Sequence, residues 1–318
     1  MIVYRHFMRI HRDLTHLPAL RQAVITIGTF DGVHSGHRYI IQQLQETAAA
    51  CDGETVIITF DPHPREVLQP GGPPVKLLTT LDEKIELLSK EGIDHLVIVP
   101  FTREFSELSA QAYLEEFLIE QFNPHTIIIG YDHRFGHNRE GGLELLEAEQ
   151  NRYGFRLIEI PQQVVHDLAV SSTKIRKSLQ EGNIQLANEL LGYPYFVEGT
   201  VIHGDKMGRQ LGFPTANIAV SDVRKLIPVE GIYAIRVYLD KQSTPLNGVM
   251  SIGTRPTFNG ADLRVEAHIF DFSEEIYDKV IRVELISYIR ANQKFDNIDA
   301  LVAQMHKDSQ EARTVLAS

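Results

Sequence analysis

The 318-residue chain has a single cysteine, Cys51, so no disulfide framework can hold it together. Cysteine usage that sparse points to the reducing cytoplasm. No apolar run approaches the length of a membrane span. The opening segment, MIVYRHFMRIHRDL, is interrupted by His and Arg and is not expected to act as a signal peptide. Positive charge is scarce: 31 Lys and Arg against 42 Asp and Glu leave a net −11. That balance excludes broad electrostatic adhesion to nucleic acid or to anionic membrane. Small anions remain open as ligands, provided glycine-loop amides, His, Lys, Arg or a metal ion hold them locally. Repeats, low-complexity tracts and long same-sign charge blocks are also missing. The Pro/Gly-rich QPGGPP at 69–74 is the one obvious flexible loop.

What the chain does have is the composition of an ordinary globular protein, 43% hydrophobic and 23% charged, in a length sufficient for two cores. From residue 23 to about 182, near-continuous apolar strands alternate with amphipathic helices. The strands are AVITIG, TVIITF, HLVIVPF, HTIIIGYD and FRLIEIP; LDEKIELLSKEG and AQAYLEEFLIEQF are among the helices. This pattern predicts a doubly wound parallel sheet, whose ligands bind beyond the carboxyl ends of its strands. Those ends carry GTFDGVHSGH, DPHPRE and DHRFGHNREGG, all rich in His, Asp, Arg and Gly. A structural loop needs Gly and Pro for its turns but has no need of histidine at three strand ends.

The first of these turns precedes the helix RYIIQQLQETAAA. Unpaired N–H groups at a helix start favour a phosphate, and His34 and His37, three apart, could both donate to it. An N-cap turn with two surface histidines is the plainer reading. AVSSTKIRKSLQEG at 169–182 reads as a capped helix start, with Ser171 or Ser172 as the cap. Its basic residues form either a solvated face or, with Lys174 and Arg176, a second phosphate cradle.

Beyond about 195 the period changes. Short or alternating strands, YFVEGTVIHG, GIYAIRVYLD, LNGVMSIG, RVEAHIFDF and KVIRVELISYIR, end in the helix NIDALVAQMHKDSQEARTVL. They predict a small antiparallel barrel or sandwich with a terminal helix, the boundary lying near 182. GDKMGRQLGFPTAN lies on a long connection, where Gly204, Gly208 and Gly212 free the backbone and Lys206 and Arg209 supply cations. It lacks P-loop spacing. Thr215 and Asn217, two apart in an extended segment, point to one side and offer neutral oxygens suited to Mg²⁺. In RVEAHIFDF, period two sets Arg264, Glu266, His268 and Phe270 opposite Val265, Ala267 and Ile269. Glu266 is then either a solvent-facing carboxylate or a general base.

Together the motifs resemble those of the bifunctional bacterial riboflavin kinase/FMN adenylyltransferases over nearly the whole chain. The matching stretches are TIGTFDGVHSGH, TFDPHP, IIIGYDHRFG and VSSTKIR, then GTVIHGDKMGRQLGFPTANI, GVMSIGTRPTF, VEAHIFDF and LISYIR. The resemblance implies an adenylyltransferase domain over 1–182 and a β-barrel kinase domain over 183–318. The second would phosphorylate riboflavin with ATP to give FMN; the first would adenylylate FMN to FAD with release of pyrophosphate. It further implies catalytic roles for His34, His37 and Glu266, and Mg²⁺ held at Thr215 and Asn217. Nucleotide and phosphate contacts would fall to Gly28, Phe30, Asp31, Gly36, Asp132, Ser172, Thr173, Arg176, Gly204, Lys206, Gly208 and Arg209. Two departures stand beside the adenylyltransferase motifs: Ser35 where a basic residue is common, and His133 where an aromatic is.

Other readings are a nucleotidyltransferase for another phosphorylated precursor, with a non-catalytic barrel, and a flavin carrier without turnover. A passive barrel would need no base or metal ligands.

Overall fold

The computed structural model describes residues 7–72, 74–161, 170–204, 207–239, 244–257 and 260–317. The chain divides into two compact units, Met1–Ser171 and Ser172–Ser318.

The first unit is built on six strands: β1 (Arg9–His11), β2 (Val24–Ile27), β3 (Thr55–Asp61), β4 (His95–Pro100), β5 (Thr126–Gly130) and β6 (Arg156–Ile160). They lie in the order β1-β4-β3-β2-β5-β6, and every neighbouring pair is parallel. The five strands expected from the apolar runs are all present. β1 is an addition, a three-residue edge strand too short to carry a period. All four residues of β2 and the first five of β3 are buried, because both sheet faces are covered. One face packs Ile25, Val56, Val97 and Ile127 against Leu114 and Phe117, from the helical run Ala110–Phe122. Against the sheet also lies helix α1 (Ser35–Ala50), which contacts β2, β3 and β5. Helix α2 (Leu81–Ser89) starts on a capping box in which Thr80 and Glu83 satisfy each other's backbone N–H.

The chain runs β2, β3, β4 toward one edge and then crosses back to place β5 on the other side of β2. The strand order therefore reverses beside β2, and the crevice of such a sheet opens there, at the carboxyl ends of β2 and β5.

The second unit opens with helices α3 (Ser172–Gln180) and α4 (Ile184–Leu191), which pack on each other. Strands β7 (Phe196–Ile202), β8 (Ala216–Ala219), β9 (Gly231–Leu239), β10 (Leu246–Thr257), β11 (Gly260–Ile269) and β12 (Val280–Arg290) close an antiparallel barrel ordered β10-β11-β8-β7-β12-β9. Of the two expected architectures the barrel is the one formed, with β8 as a sixth strand inside the long connection. Alternation puts Val265, Ala267, Ile269, Ile281, Val283 and Leu285 inside. The terminal helix α5 (Ile298–Ala317) covers part of the outside, burying Ala312 and Leu316 against Ala234 and Phe270.

The compact units part at Ser171/Ser172, earlier than the change of period near 182. Helix α3 goes with the barrel for a local reason: the Val229 N–H donates to the Leu179 carbonyl at 3.2 Å. Its helix begins at Ser172, which leaves Ser171 rather than Ser172 in the N-cap position.

Candidate active sites

The turn after β2 is held in an unusual conformation. Phe30 (φ 47°), Gly32 (φ 86°) and Val33 (φ 36°) all sit at positive φ, and Phe30 and Val33 are buried there. Asp31, 2% exposed, accepts from the Leu78 N–H (3.1 Å), the Thr79 N–H (3.0 Å) and the Thr79 hydroxyl (3.3 Å). Thr79 Oγ1 in turn accepts from the Gly32 N–H at 3.1 Å. The nucleotide contact expected of Asp31 is thus joined by a visible structural one: it pins the turn to the segment that leads into α2.

This clamp aims the histidines. His34 is the N-cap of α1, its Nδ1 accepting from the His37 N–H at 3.3 Å. The two rings stack with centroids 3.7 Å apart, and Phe30 packs on His37 at 4.9 Å. Of the two readings of His34, the capping role is visible in the geometry. The surface placement in the plainer reading is corrected, since His34 is only 7% exposed. Because Nδ1 of His34 accepts, a neutral ring carries its proton on Nε2. Burial first, then His34 and Lys84, push the His37 pKa well below 6.5. His37 is therefore a neutral imidazole at neutral pH. Its Nδ1 is buried with no hydrogen-bond partner among the described residues. Gly36 is required for closeness: a Cβ there would stand 2.9 Å from Val170 and 3.3 Å from the His34 ring. Gly28 lies at the strand end, its N–H donating to Ile58 at 3.0 Å.

Other strand ends supply further groups. His63 after β3 caps the short helix Pro64–Leu68 by accepting from the Arg65 N–H at 3.2 Å. After β5, the strand beside β2, Asp132 is exposed. The neighbouring His133 is pushed down to about 4, mainly by burial, and its Nε2 has no hydrogen-bond partner among the described residues. Ser172, Thr173 and Arg176 stand in the first turns of α3. Sequence reasoning missed Lys84, which reads as an ordinary surface lysine of an amphipathic helix. It is buried and donates to Thr59 Oγ1 at 3.3 Å.

In the barrel, the register between β8 and β11 sets Asn217 directly opposite Glu266. The Thr215 hydroxyl donates to Glu266 Oε2 at 3.3 Å, and Arg264 Nη1 lies 3.9 Å from Oε1. Residues remote in sequence thus meet on one strand face. Glu266 remains 32% exposed, but the face is not simply a solvent face: Phe270 is buried beneath α5 and His268 packs on Phe213. The glycines of the connection let it approach. A Cβ on Gly204 would lie 2.1 Å from Asn217 Nδ2, and one on Gly208 would lie 2.3 Å from the Phe213 carbonyl oxygen. Arg209 belongs to the short helix Met207–Gln210, and Lys206 lies outside the described residues. Beside the site is a cavity of about 360 Å³ whose wall includes Thr215, Ala216, Ala267, Ile276 and Tyr277.

Among the described residues no cluster of three or more His, Cys, Asp and Glu could hold a metal ion. Asn217, whose Oδ1 would be 2.8 Å from a Cβ on Gly204, and Thr215 fit a different arrangement. Two neutral oxygens suit a Mg²⁺ that completes its coordination with phosphate oxygens and water.

Comparison with known proteins matches two successive stretches of the chain to two families. The family model described as FAD synthetase matches residues 17–174, and that described as riboflavin kinase matches residues 191–316. The bifunctional riboflavin kinase/FMN adenylyltransferase of Listeria monocytogenes is 40% identical over 296 residues, 92% of each chain. Its counterpart in Escherichia coli K12 is 38% identical over 308 residues, 96% of this chain and 97% of that one. A solved structure titled macrolide-efflux protein, from Streptococcus pneumoniae, superimposes with a TM-score of 0.84 at 29% identity, covering 96% of this chain and 99% of that one. Among the described residues no helix is long and apolar enough to cross a membrane.

Proposed function

We propose a residue-level division of labour for this chain, which belongs to the family of bifunctional riboflavin kinase/FMN adenylyltransferases and converts riboflavin to FMN and FMN to FAD with ATP. The adenylyltransferase is assigned to residues 1–182 and the kinase to 183–318; the two family matches, ending at 174 and beginning at 191, support that boundary.

In adenylyl transfer an FMN phosphate oxygen attacks the α-phosphorus of ATP, and the bond to the β-phosphate oxygen breaks to release pyrophosphate. No covalent enzyme intermediate is needed. The requirement is alignment and stabilisation of charge on the α-phosphate and the leaving group. His34 presents Nε2–H and His37 is a neutral ring stacked on it at 3.7 Å, at the start of α1. Neutral donors at a helix N-terminus fit the task, because the helix dipole already supplies positive potential. Gly28, Phe30 and Gly36 shape this turn, and Asp132, Ser172, Thr173 and Arg176 are assigned nucleotide and phosphate contacts.

In the kinase step the riboflavin 5′-hydroxyl oxygen attacks the γ-phosphorus and ADP leaves. Glu266 orients that hydroxyl and takes its proton. Thr215 and Asn217 would hold Mg²⁺, which neutralises phosphate charge when bound. Gly204, Lys206, Gly208 and Arg209 are assigned to the ATP phosphates. The cytoplasm is the compartment we assign, supported by the lone cysteine. The net charge of −11 supports partners that are small molecules rather than nucleic acid.

The observation that carries this division is that each unit holds its own constellation: the His34–His37 stack in one and the Thr215–Glu266 contact in the other. Crossed variants test it. His37→Ala should lower FAD formation from FMN by roughly 10²–10³ and spare riboflavin phosphorylation. Glu266→Gln should lower phosphorylation by roughly 10²–10⁴ and spare FAD formation. A loss of both activities in either folded variant would defeat the assignment.

A further inference from the structure

We propose that His268 is a positioning residue of the phosphoryl-transfer site: by holding the Pro214 carbonyl, it sets the place of Thr215 beside Glu266. The inference rests on the reading of Glu266 and Thr215 given above.

The contact is defined by chemistry as well as distance. His268 Nδ1 lies 2.8 Å from the Pro214 oxygen. A carbonyl oxygen can only accept, so Nδ1 carries the proton, and a neutral ring in that tautomer is sufficient. The Pro214 carbonyl shares one rigid peptide plane with the nitrogen of Thr215. Fixing that oxygen fixes the plane and, through it, the direction in which Thr215 leaves. Proline has no N–H of its own, so the segment cannot be held from that side.

The anchor and the proposed base sit on the same strand. His268 and Glu266 are two residues apart on β11, hence on one face, and β11 is paired on both sides, to β10 and to β8. Phe213, the residue before Pro214, is buried and gripped edge-on by two histidines. Its ring is 5.3 Å from His268 and 4.9 Å from His306 of helix α5. Its N–H donates to the Gly208 carbonyl at 2.8 Å. With the segment held at these points, the Thr215 hydroxyl reaches Glu266 Oε2 at 3.3 Å, near the outer limit of a hydrogen bond. A shift of a few tenths of an ångström would break that contact.

The test uses the full-length protein and measures riboflavin phosphorylation, FAD formation from FMN and thermal melting for His268→Ala, His268→Asn and Glu266→Gln. His268→Ala should lower the kinase kcat by roughly ten- to a hundredfold, the effect of misplacing a reacting group. FAD formation should stay at the parental rate. His268→Asn places an amide N–H about where Nδ1 was, so it should recover kinase turnover to within about threefold of the parent. Its pH profile should follow the parent's, since the contact needs no charge. Parental kinase turnover in His268→Ala, with Glu266→Gln slow, overturns this proposal alone. Parental turnover in Glu266→Gln overturns the reading of the site and this proposal with it. If the Ala variant does not fold, the Asn variant decides: near-parental turnover supports the proposal, and a tenfold loss in a protein of parental melting temperature overturns it.

Discussion

A methyl group added to Gly208 would stand 2.3 Å from the Phe213 carbonyl oxygen and 3.3 Å from Thr215 Oγ1. The nearer of these atoms is backbone and cannot rotate away. A tolerable carbon–oxygen approach is about 3.3 Å. The segment 213–215 must therefore retreat by about 1 Å, and overpacking of this kind costs about 1–3 kcal/mol of local stability. Misplacing a reacting group by that distance costs about a hundredfold in rate, or roughly 2.7 kcal/mol in the barrier. Gly208→Ala should thus lower kcat/KM for riboflavin phosphorylation by about 10². FAD formation from supplied FMN, which depends on the other unit, serves as the internal control. Gly212→Ala is the matched comparison, since that glycine has φ 83° and no atom within 4 Å of its missing Cβ. It incurs only backbone strain of roughly 1–2 kcal/mol, and its kinase rate should change far less. The assay is steady-state FMN production at varied riboflavin and Mg²⁺–ATP. Parental kcat/KM in a folded Gly208→Ala protein would refute the reasoning, as would a larger loss from Gly212→Ala.

His133 titrates near 4 in the folded protein and near 6.5 when unperturbed, so the unfolded chain binds the extra proton between these values. The contribution of His133 to stability is therefore fully present above about 6.5 and is lost as pH falls toward about 4; His133→Gln should make the acid limb shallower in melts followed by circular dichroism. Asp31→Ala leaves the Leu78 and Thr79 N–H groups without that acceptor in a buried site, and denaturant titration should record a loss of about 2–6 kcal/mol together with weaker FAD formation. A fragment covering 172–318 should fold and make FMN but no FAD. One covering 183–318 should melt at a lower temperature, because it lacks the Leu179 carbonyl that receives the Val229 N–H; equal melting temperatures would show that α3 adds nothing to the barrel.

Much of this protein is written in local pattern. The continuous apolar runs dictate buried parallel strands, and alternation beyond 195 dictates strands with one inward face, since side-chain period follows directly from backbone geometry. The candidates His34, His37, Thr215 and Asn217 stand out in the sequence because Gly and Pro beside them mark turns, and Glu266 because strand alternation sets it opposite Val265 and Ala267. Tertiary structure decided what depends on pairing across long separations. β1 is a strand only because β4 offers it an edge. Asp31 reaches Thr79 and Lys84 reaches Thr59, contacts no local period encodes. The sequence placed Glu266 on the face opposite Val265; only the register of β8 with β11 put Asn217 across from it and Thr215 against its carboxylate. Likewise, helix α3 reads equally well as the end of one domain or the start of the next. In the folded chain it falls in the compact unit of the barrel, where the Leu179 carbonyl receives the Val229 N–H, a contact between segments remote in sequence that no local period encodes.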